Sequence, residues 1–432
     1  MSVLNPEFPD NGSPFSRAAE RERKLAAITS AAAARFNRLG VRGTRQEDIA
    51  ADLGLTKTSI SYYFSSKEDL AEAVFERSVA FLEEIVDEAE TASGGAADRL
   101  LALFTADARL CGEVLTGRRP HLAQLQELGF LSKQVRTALL ERTGQIVSRV
   151  DRLVSDWIAD AGAPLGRSQP ATFLVFAILD WLNGRIDTVG SEAFAQTAGT
   201  VLQVLEKGLW RNASPIALIT APDYVTPGDL PQIFDRETRN RMKREAFLKV
   251  GVRYFNTYGF EGVSLADVAA ELGVTRGAFY YHIPDKLDFL DQCLDRSFTI
   301  VETALDDADA RSGLDAIRHV LLNLIYRQAG GLTPLIRPAL MSALPASRRK
   351  RYEARQRNIS RRLGDWLADA IEAGQANDVE VELIEPLLAQ LIFLNGGYTV
   401  AAAQEVRELR LSEDPMNAAA DYCFILQNGL RP

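Results

Sequence analysis

The sequence predicts an all-α protein built as two similar halves, and three observations carry that prediction. Apolar residues recur at three- and four-residue intervals along most of the 432 residues, while strand-like alternation is scarce. Apolar residues make up 47% and charged residues 25%, the balance of a chain that folds around cores. Third, the stretch GVRGTRQEDIAADLGLTKTSISYYFSSKEDL, from Gly40 to Leu70, returns 219 positions later without a gap as GFEGVSLADVAAELGVTRGAFYYHIPDKLDF, from Gly259 to Phe289. Of the 31 paired positions 11 are identical, among them Gly54/Gly273, Thr56/Thr275, Tyr62/Tyr281 and Lys67/Lys286. A repeat of half the chain makes each half a unit with length enough for its own core.

Taken in order, residues 1–16 read as a disordered tail. Residues 17–39 form a first helix on the spacing of Leu25, Ile28, Ala32, Phe36 and Leu39, closed by Gly40. A second helix follows, its start marked in the second copy by Ser264 with Asp267 and in the first by Thr44 with Glu47 as a T-x-x-E capping box. Gly54 and Gly273 stand where that helix stops and turns, and Thr56 and Thr275 cap the third helix. Ile49, Leu53 and Leu55, or Val268, Leu272 and Val274, hold the two short helices at a fixed angle. The third helix then presents Lys57, Thr58, Ser59, Tyr62 and Tyr63 outward, and in the second copy Arg276, Gly277, Ala278, Tyr281 and His282. Small or cationic groups at its start and aromatic rings with polar tips at its end suit a helix laid in a DNA major groove.

These residues resemble the DNA-binding domain of the tetracycline-repressor (TetR) family. Its pattern is met by Thr44, Ile49, Ala50, Leu53, Gly54, Leu55, Thr56, Ile60, Tyr63, Phe64 and Lys67. It is met again by Ser264, Val268, Ala269, Leu272, Gly273, Val274, Thr275, Phe279, Tyr280, His282, Ile283 and Lys286. The resemblance implies that Tyr62, Tyr63 and Lys67, with Tyr280, Tyr281, His282 and Lys286, hold phosphates, and that Lys57, Thr58, Ser59, Arg276, Gly277 and Ala278 read bases. Thr44, Thr56, Ser264 and Thr275 complete the expected DNA-binding set. The first copy departs from the pattern at Arg45, Gln46 and Ser61, the second at Val263, so the two readers are expected to prefer different bases.

The domains are therefore expected at 17–68 (first helix-turn-helix), 69–211 (helical regulatory domain), 212–235 (a linker with Pro215, Pro222, Pro227 and Pro231), 236–287 (second helix-turn-helix) and 288–432 (second regulatory domain). Fainter echoes, Trp157-Ile-Ala-Asp-Ala with Trp366-Leu-Ala-Asp-Ala and Leu182-Asn-Gly with Leu394-Asn-Gly, extend the repeat. Two TetR-like halves imply a pseudo-dimer within one chain, its contact made by helices at about 168–186, 190–210, 380–401 and 415–428; a higher oligomer remains open. The resemblance also implies a small-molecule effector, with Phe104, His121, Trp157, Phe173, Tyr326 and Trp366 as candidate lining residues. The expected function is a ligand-responsive repressor on a double-stranded DNA operator with unlike half-sites. The alternative is a ligand- or protein-binding helical module in which one or both helix-turn-helix units are degenerate.

Net charge is −9, yet residues 17–67 carry +5 and residues 236–286 carry +3, leaving −17 for the rest. Two basic patches on an acidic body fit a protein that meets phosphate with two small surfaces. The basic run Arg348–Arg362 reads as a solvated helix face. Cys111, Cys293 and Cys423 are isolated, which suits a reducing compartment, and no run is apolar enough for a membrane span; a cytoplasmic protein is expected. His121 and His319 lack a histidine at i+3 or i+4, so neither metal nor cofactor is expected, and no catalytic motif of a hydrolase or nucleotide-binding enzyme is present.

Overall fold

The computed structural model describes residues 17–125, 128–186, 188–212, 236–329, 333–393 and 415–431, and every extended regular element among them is a helix. The expected tail, nearly all of the expected linker and Leu394 lie outside the described residues. The chain divides into two compact units. The first contains α1 (Arg17–Gly43), α2 (Gln46–Asp52), α3 (Lys57–Tyr63), α4 (Lys67–Thr91), α5 (Ala96–Leu115), α6 (Lys133–Ala161), α7 (Gln169–Arg185) and α8 (Ser191–Lys207). The second contains α9 (Arg236–Gly262), α10 (Leu265–Glu271), α11 (Arg276–His282), α12 (Lys286–Ala308), α13 (Gly313–Ala329), α14 (Ala346–Glu372), α15 (Val381–Leu391) and α16 (Pro415–Asn428).

α4 is the axle of the first unit, packing against α1, α5 and α6, and α12 serves the second in the same way against α9, α13 and α14. Both helices start at strong caps that join the helix-turn-helix to the body. Ser66 and Asp69 form a reciprocal capping box on α4, and Asp285 accepts from the Asp288 amide on α12. Leu70, Val74, Phe75, Ile85 and Val86 then bury one face of α4, as Phe289, Leu290, Leu294, Phe298 and Val301 do on α12.

The opposite, polar sides of these axles carry matching ion ladders. Arg142 on α6 spans Glu76 and Glu83, with Nη2 to Glu83 Oε2 at 2.7 Å. Arg355 on α14 spans Asp295 and Glu302 at 2.9 and 2.6 Å. One rung further, Arg149 meets Asp87 and Glu90 at 2.5 and 2.6 Å, and Arg362 meets Asp306 and Asp309 at 2.8 and 2.7 Å. The basic run on α14 is thus not a free solvated face: Arg348, Arg351, Arg355 and Arg362 point at acids of α12. This register pairs Arg142 with Arg355 and Arg149 with Arg362, which places Trp157 one helical turn away from the equivalent of Trp366. The two Trp-containing pentapeptides are alike in letters but not in place.

The unit boundary falls at Gly208 rather than 211, for a backbone reason. Leu209 N and Trp210 N donate to Leu426 O and Gln427 O of α16, each at 2.9 Å, and Arg211 N donates to Gln375 O at 2.9 Å; these residues therefore belong to the second unit. The chain from Asn428, the last residue of α16, onward belongs to the first unit, although the rest of α16 belongs to the second; there Leu430 N donates to Leu205 O at 2.7 Å and Trp157 Nε1 to Leu430 O at 2.8 Å. Gly429 has φ +74°, and a Cβ there would fall 2.5 Å from Gly208 N, so only glycine fits this crossing.

Candidate nucleic-acid interface

In each unit a glycine at left-handed φ, Gly54 at 63° or Gly273 at 64°, turns the chain between the two short helices. The turn closes with Leu55 N on Ala50 O at 2.8 Å and Val274 N on Ala269 O at 3.0 Å. Thr56 then accepts from Ser59 N at 3.2 Å and Thr275 from Ala278 N at 3.3 Å, so both threonines act as N-caps of α3 and α11. Ile60 and Phe279 turn inward and are fully buried, Phe279 against the rings of Phe247 and Phe289. That burial aims the opposite side of each helix outward.

What is aimed outward agrees between the copies. Tyr62 and Tyr281 are 79% and 84% exposed, the highest values among the exposed large apolar side chains. Each meets the next residue edge-on, Tyr62 with Tyr63 at 5.1 Å and Tyr281 with His282 at 5.0 Å, both at 87°. Lys57, Thr58, Arg276, Gly277, Ala278 and Tyr280 are exposed, while Ser59, Tyr63 and His282 are half-buried at the rim. Ser59 Oγ lies 2.9 Å from Thr56 Oγ1. The leading cations differ. Lys57 is paired with Glu47 at 2.6 Å, whereas Arg276 has no ion pair among the described residues, because Ala266 stands where the first copy has Glu47.

Three of the expected DNA contacts are engaged within the protein itself. Thr44 is fully buried and donates its hydroxyl to Gly40 O at 2.8 Å, so it forms no capping box; Arg45 stands at the N-cap of α2 with no side-chain cap. In the second copy Ser264, half-buried, does cap α10, accepting from Asp267 N at 3.4 Å. Lys67, expected at a phosphate, instead donates Nζ to Val41 O, Arg42 O and Thr44 O at 3.0, 3.3 and 3.2 Å, over the ring of Phe130 at 5.0 Å. Lys286 is turned inward likewise, to Glu261 O at 3.3 Å and the Phe260 ring at 4.7 Å. Both ammonium groups complement the carbonyl-rich end of a long helix.

None of the candidate effector residues lines the cavity described below. Phe104, Trp157 and Phe173 are packed core, Trp366 is buried beneath Arg362, and His121 and Tyr326 are half-buried. A cavity of about 40 Å³ opens elsewhere in the first unit, against α1, α4 and α7, with Asn37, Ser78, Gln124, Asp180 and Asn183 among its polar walls. Behind Asn183, whose Nδ2 donates to Asp107 Oδ1 at 3.1 Å, burial pushes the Asp107 carboxyl up to about 8. No cluster of His, Cys, Asp and Glu suited to a metal occurs among the described residues, and no described helix is long and apolar enough to cross a membrane.

The profile of the bacterial regulatory proteins of the tetR family matches the chain twice, at residues 28–74 and 247–293. Two stretches of the chain are thus similar to the DNA-binding domain of the tetR family. Among characterised relatives, the class C tetracycline repressor protein of Escherichia coli is 33% identical over 107 residues, covering 23% of this chain and 48% of that protein. The transcriptional regulator RutR of Escherichia coli K12 is 49% identical over 59 residues, 14% of this chain and 27% of RutR. AcrR of Shigella flexneri is 33% identical over 85 residues, 19% and 40%. The chain thus spans at most about half the length of these relatives. Among solved structures, a TetR/AcrR-family regulator of Thermobifida fusca aligns over 41% of this chain and 96% of its own, at 21% identity and TM-score 0.28. PfmR of Thermus thermophilus aligns over 42% and 96%, at 20% identity and TM-score 0.33. Both TetR-family matches in this chain begin on the first helix and end on the axle, α4 or α12, so they take in the inward lysines as well as the outward tyrosines.

Proposed function

We propose that this protein is a sequence-specific transcriptional regulator that binds double-stranded DNA through two unlike TetR-family readers in one polypeptide. The observation that carries the reading is the pair of outward helices, each with a threonine cap, a buried apolar inner residue and an exposed tyrosine at matched positions. The readers differ in their leading residues, Lys57-Thr58-Ser59 against Arg276-Gly277-Ala278, which supports an operator whose half-sites differ, spaced by about one helical turn (~34–36 Å) or a multiple of it. The relatives are regulators that include a tetracycline repressor, which supports repression relieved by a small effector. A pseudo-dimer made within the chain would bring the two readers to one duplex without a second polypeptide.

A gel shift on the promoter of the protein's own gene, run across a salt series, tests this. Binding that weakens steeply with salt supports it, and Arg276→Ala should then alter base preference in one half-site only, read by selection from random DNA. Absence of salt-sensitive binding at every ionic strength favours a ligand- or protein-binding module instead.

A further inference from the structure

The structure carries a second repeat that the helix-turn-helix reading leaves unused. In the first unit the loop 121–124 is held by side chains of α1, in the DNA-binding domain, and of α4, the axle that follows it. Asn37 of α1 donates Nδ2 to Leu122 O and accepts from Gln124 N, both at 2.9 Å. Ser78 of α4 accepts from Ala123 N at 3.0 Å, and Arg77 donates to His121 O. In the second unit Asn256 donates to Leu335 O at 2.9 Å and accepts from Arg337 N at 3.0 Å. Ser297 accepts from Ile336 N at 3.0 Å, and Arg296 donates to Pro334 O at 2.9 Å. Asn37, Arg77 and Ser78 each lie 219 positions before Asn256, Arg296 and Ser297. The same three side chains therefore grip the same four consecutive backbone residues twice, and in the first unit Ser30 of α1, where the second unit has Lys249, adds one more neutral contact by accepting from His121 N at 2.9 Å.

The two grips are unequal. Arg296 is clamped by the Glu245 carboxylate of α9 through three contacts at 2.5–2.9 Å, a two-pronged charge-assisted pair. The position of Glu245 is held by Ala26 in the first unit. Arg77 accordingly meets only the hydroxyl and carbonyl of Thr29 on α1, with Nε unpartnered and no carboxylate paired to it among the described residues. Burial without a counter-charge pushes its pKa down to about 10. The small cavity also opens under this first grip, with Asn37, Ser78, Leu122, Ala123 and Gln124 in its wall. A buried cation held by neutral acceptors beside a void is easier to dislodge than one forked onto a carboxylate.

We infer that Asn37, Arg77 and Ser78, with Asn256, Arg296 and Ser297, are positioning residues that set the two DNA readers against their regulatory domains, the second pair of domains being locked and the first releasable. The positioning role rests on the DNA-binding reading above; the inequality of the two grips does not.

Amide hydrogen exchange on the full chain, free of DNA, measures the grips directly. After correction for intrinsic rates, the Ala123 and Gln124 amides should exchange about 10-fold or more faster than those of Ile336 and Arg337. Ala26→Glu should slow the first pair, Glu245→Gln should speed the second, and Glu245→Asp should restore most of the loss. On duplexes selected from random DNA by the unaltered protein, Glu245→Gln should weaken protection of one half-site by about 10-fold with no change in salt slope, since no phosphate contact is removed. Equal exchange of the two amide pairs in the unaltered protein overturns the inequality. Unequal exchange with both half-sites equally protected in Glu245→Gln overturns the positioning role, and unequal exchange in a protein that binds no DNA overturns the regulator reading while leaving the two grips intact.

Discussion

Lys67 donates to three backbone carbonyls at the end of α1, so its removal acts on the fold before it acts on DNA. Leaving three carbonyls without their cation should cost about 1–3 kcal/mol. Lys67→Ala is expected to lower the melting temperature while leaving the slope of log affinity against log salt unchanged; a slope reduced by about one would restore the phosphate role. Asp107 offers a second test at this scale. Its carboxyl is buried and pushed up to about 8, from an ordinary value of 3.8, so between those values the unfolded chain has released a proton that the folded chain still holds. Stability therefore falls as pH rises through that window. Asp107→Asn should raise the melting temperature by more at pH 8 than at pH 5, measured by calorimetry at both; an equal effect at the two pH values would place a charged Asp107 in the fold.

At the scale of elements, the axles tolerate different residues only in matched sets. Gly251 of α9 lies so close to Phe289 that a Cβ would come within 2.2 Å of the ring, whereas the first unit carries Ala32 and Leu70 at the equivalent places, both fully buried. Gly251→Ala should therefore destabilise by about 1–3 kcal/mol despite the better helix former, and adding Phe289→Leu should recover most of it; denaturant unfolding of single and double variants decides. Such pairing explains what the sequence disclosed. Local signals were legible where one side chain meets its own backbone: the glycines 54 and 273, the caps Thr56, Thr275 and Ser264, the inward Ile60 and Phe279. Thr44 with Glu47 had the letters of a cap, but burial of Thr44 and the pull of Lys57 on Glu47 took the partners apart. Long-range partners left no local trace. The arginines of α14 looked solvated because their acids lie on α12, some 53–60 residues away in sequence, and the grip of Asn37 on Leu122 spans 85.

At the scale of the molecule, the chain repeats a whole design with one-sided differences: a paired against an unpaired leading cation, and a neutral against an ion-locked grip on the regulatory loop. Two readers in one polypeptide are released from the sequence identity that two copies of one chain would impose, so each is free to favour its own bases. Hydroxyl-radical footprinting of a single chain bound to its selected duplex tests that account most directly. The prediction is two protected patches centred about one helical turn (~34–36 Å) or a multiple apart, with Arg276→Ala thinning one patch and Lys57→Ala the other. A single patch, or two that fade together with either substitution, would contradict it.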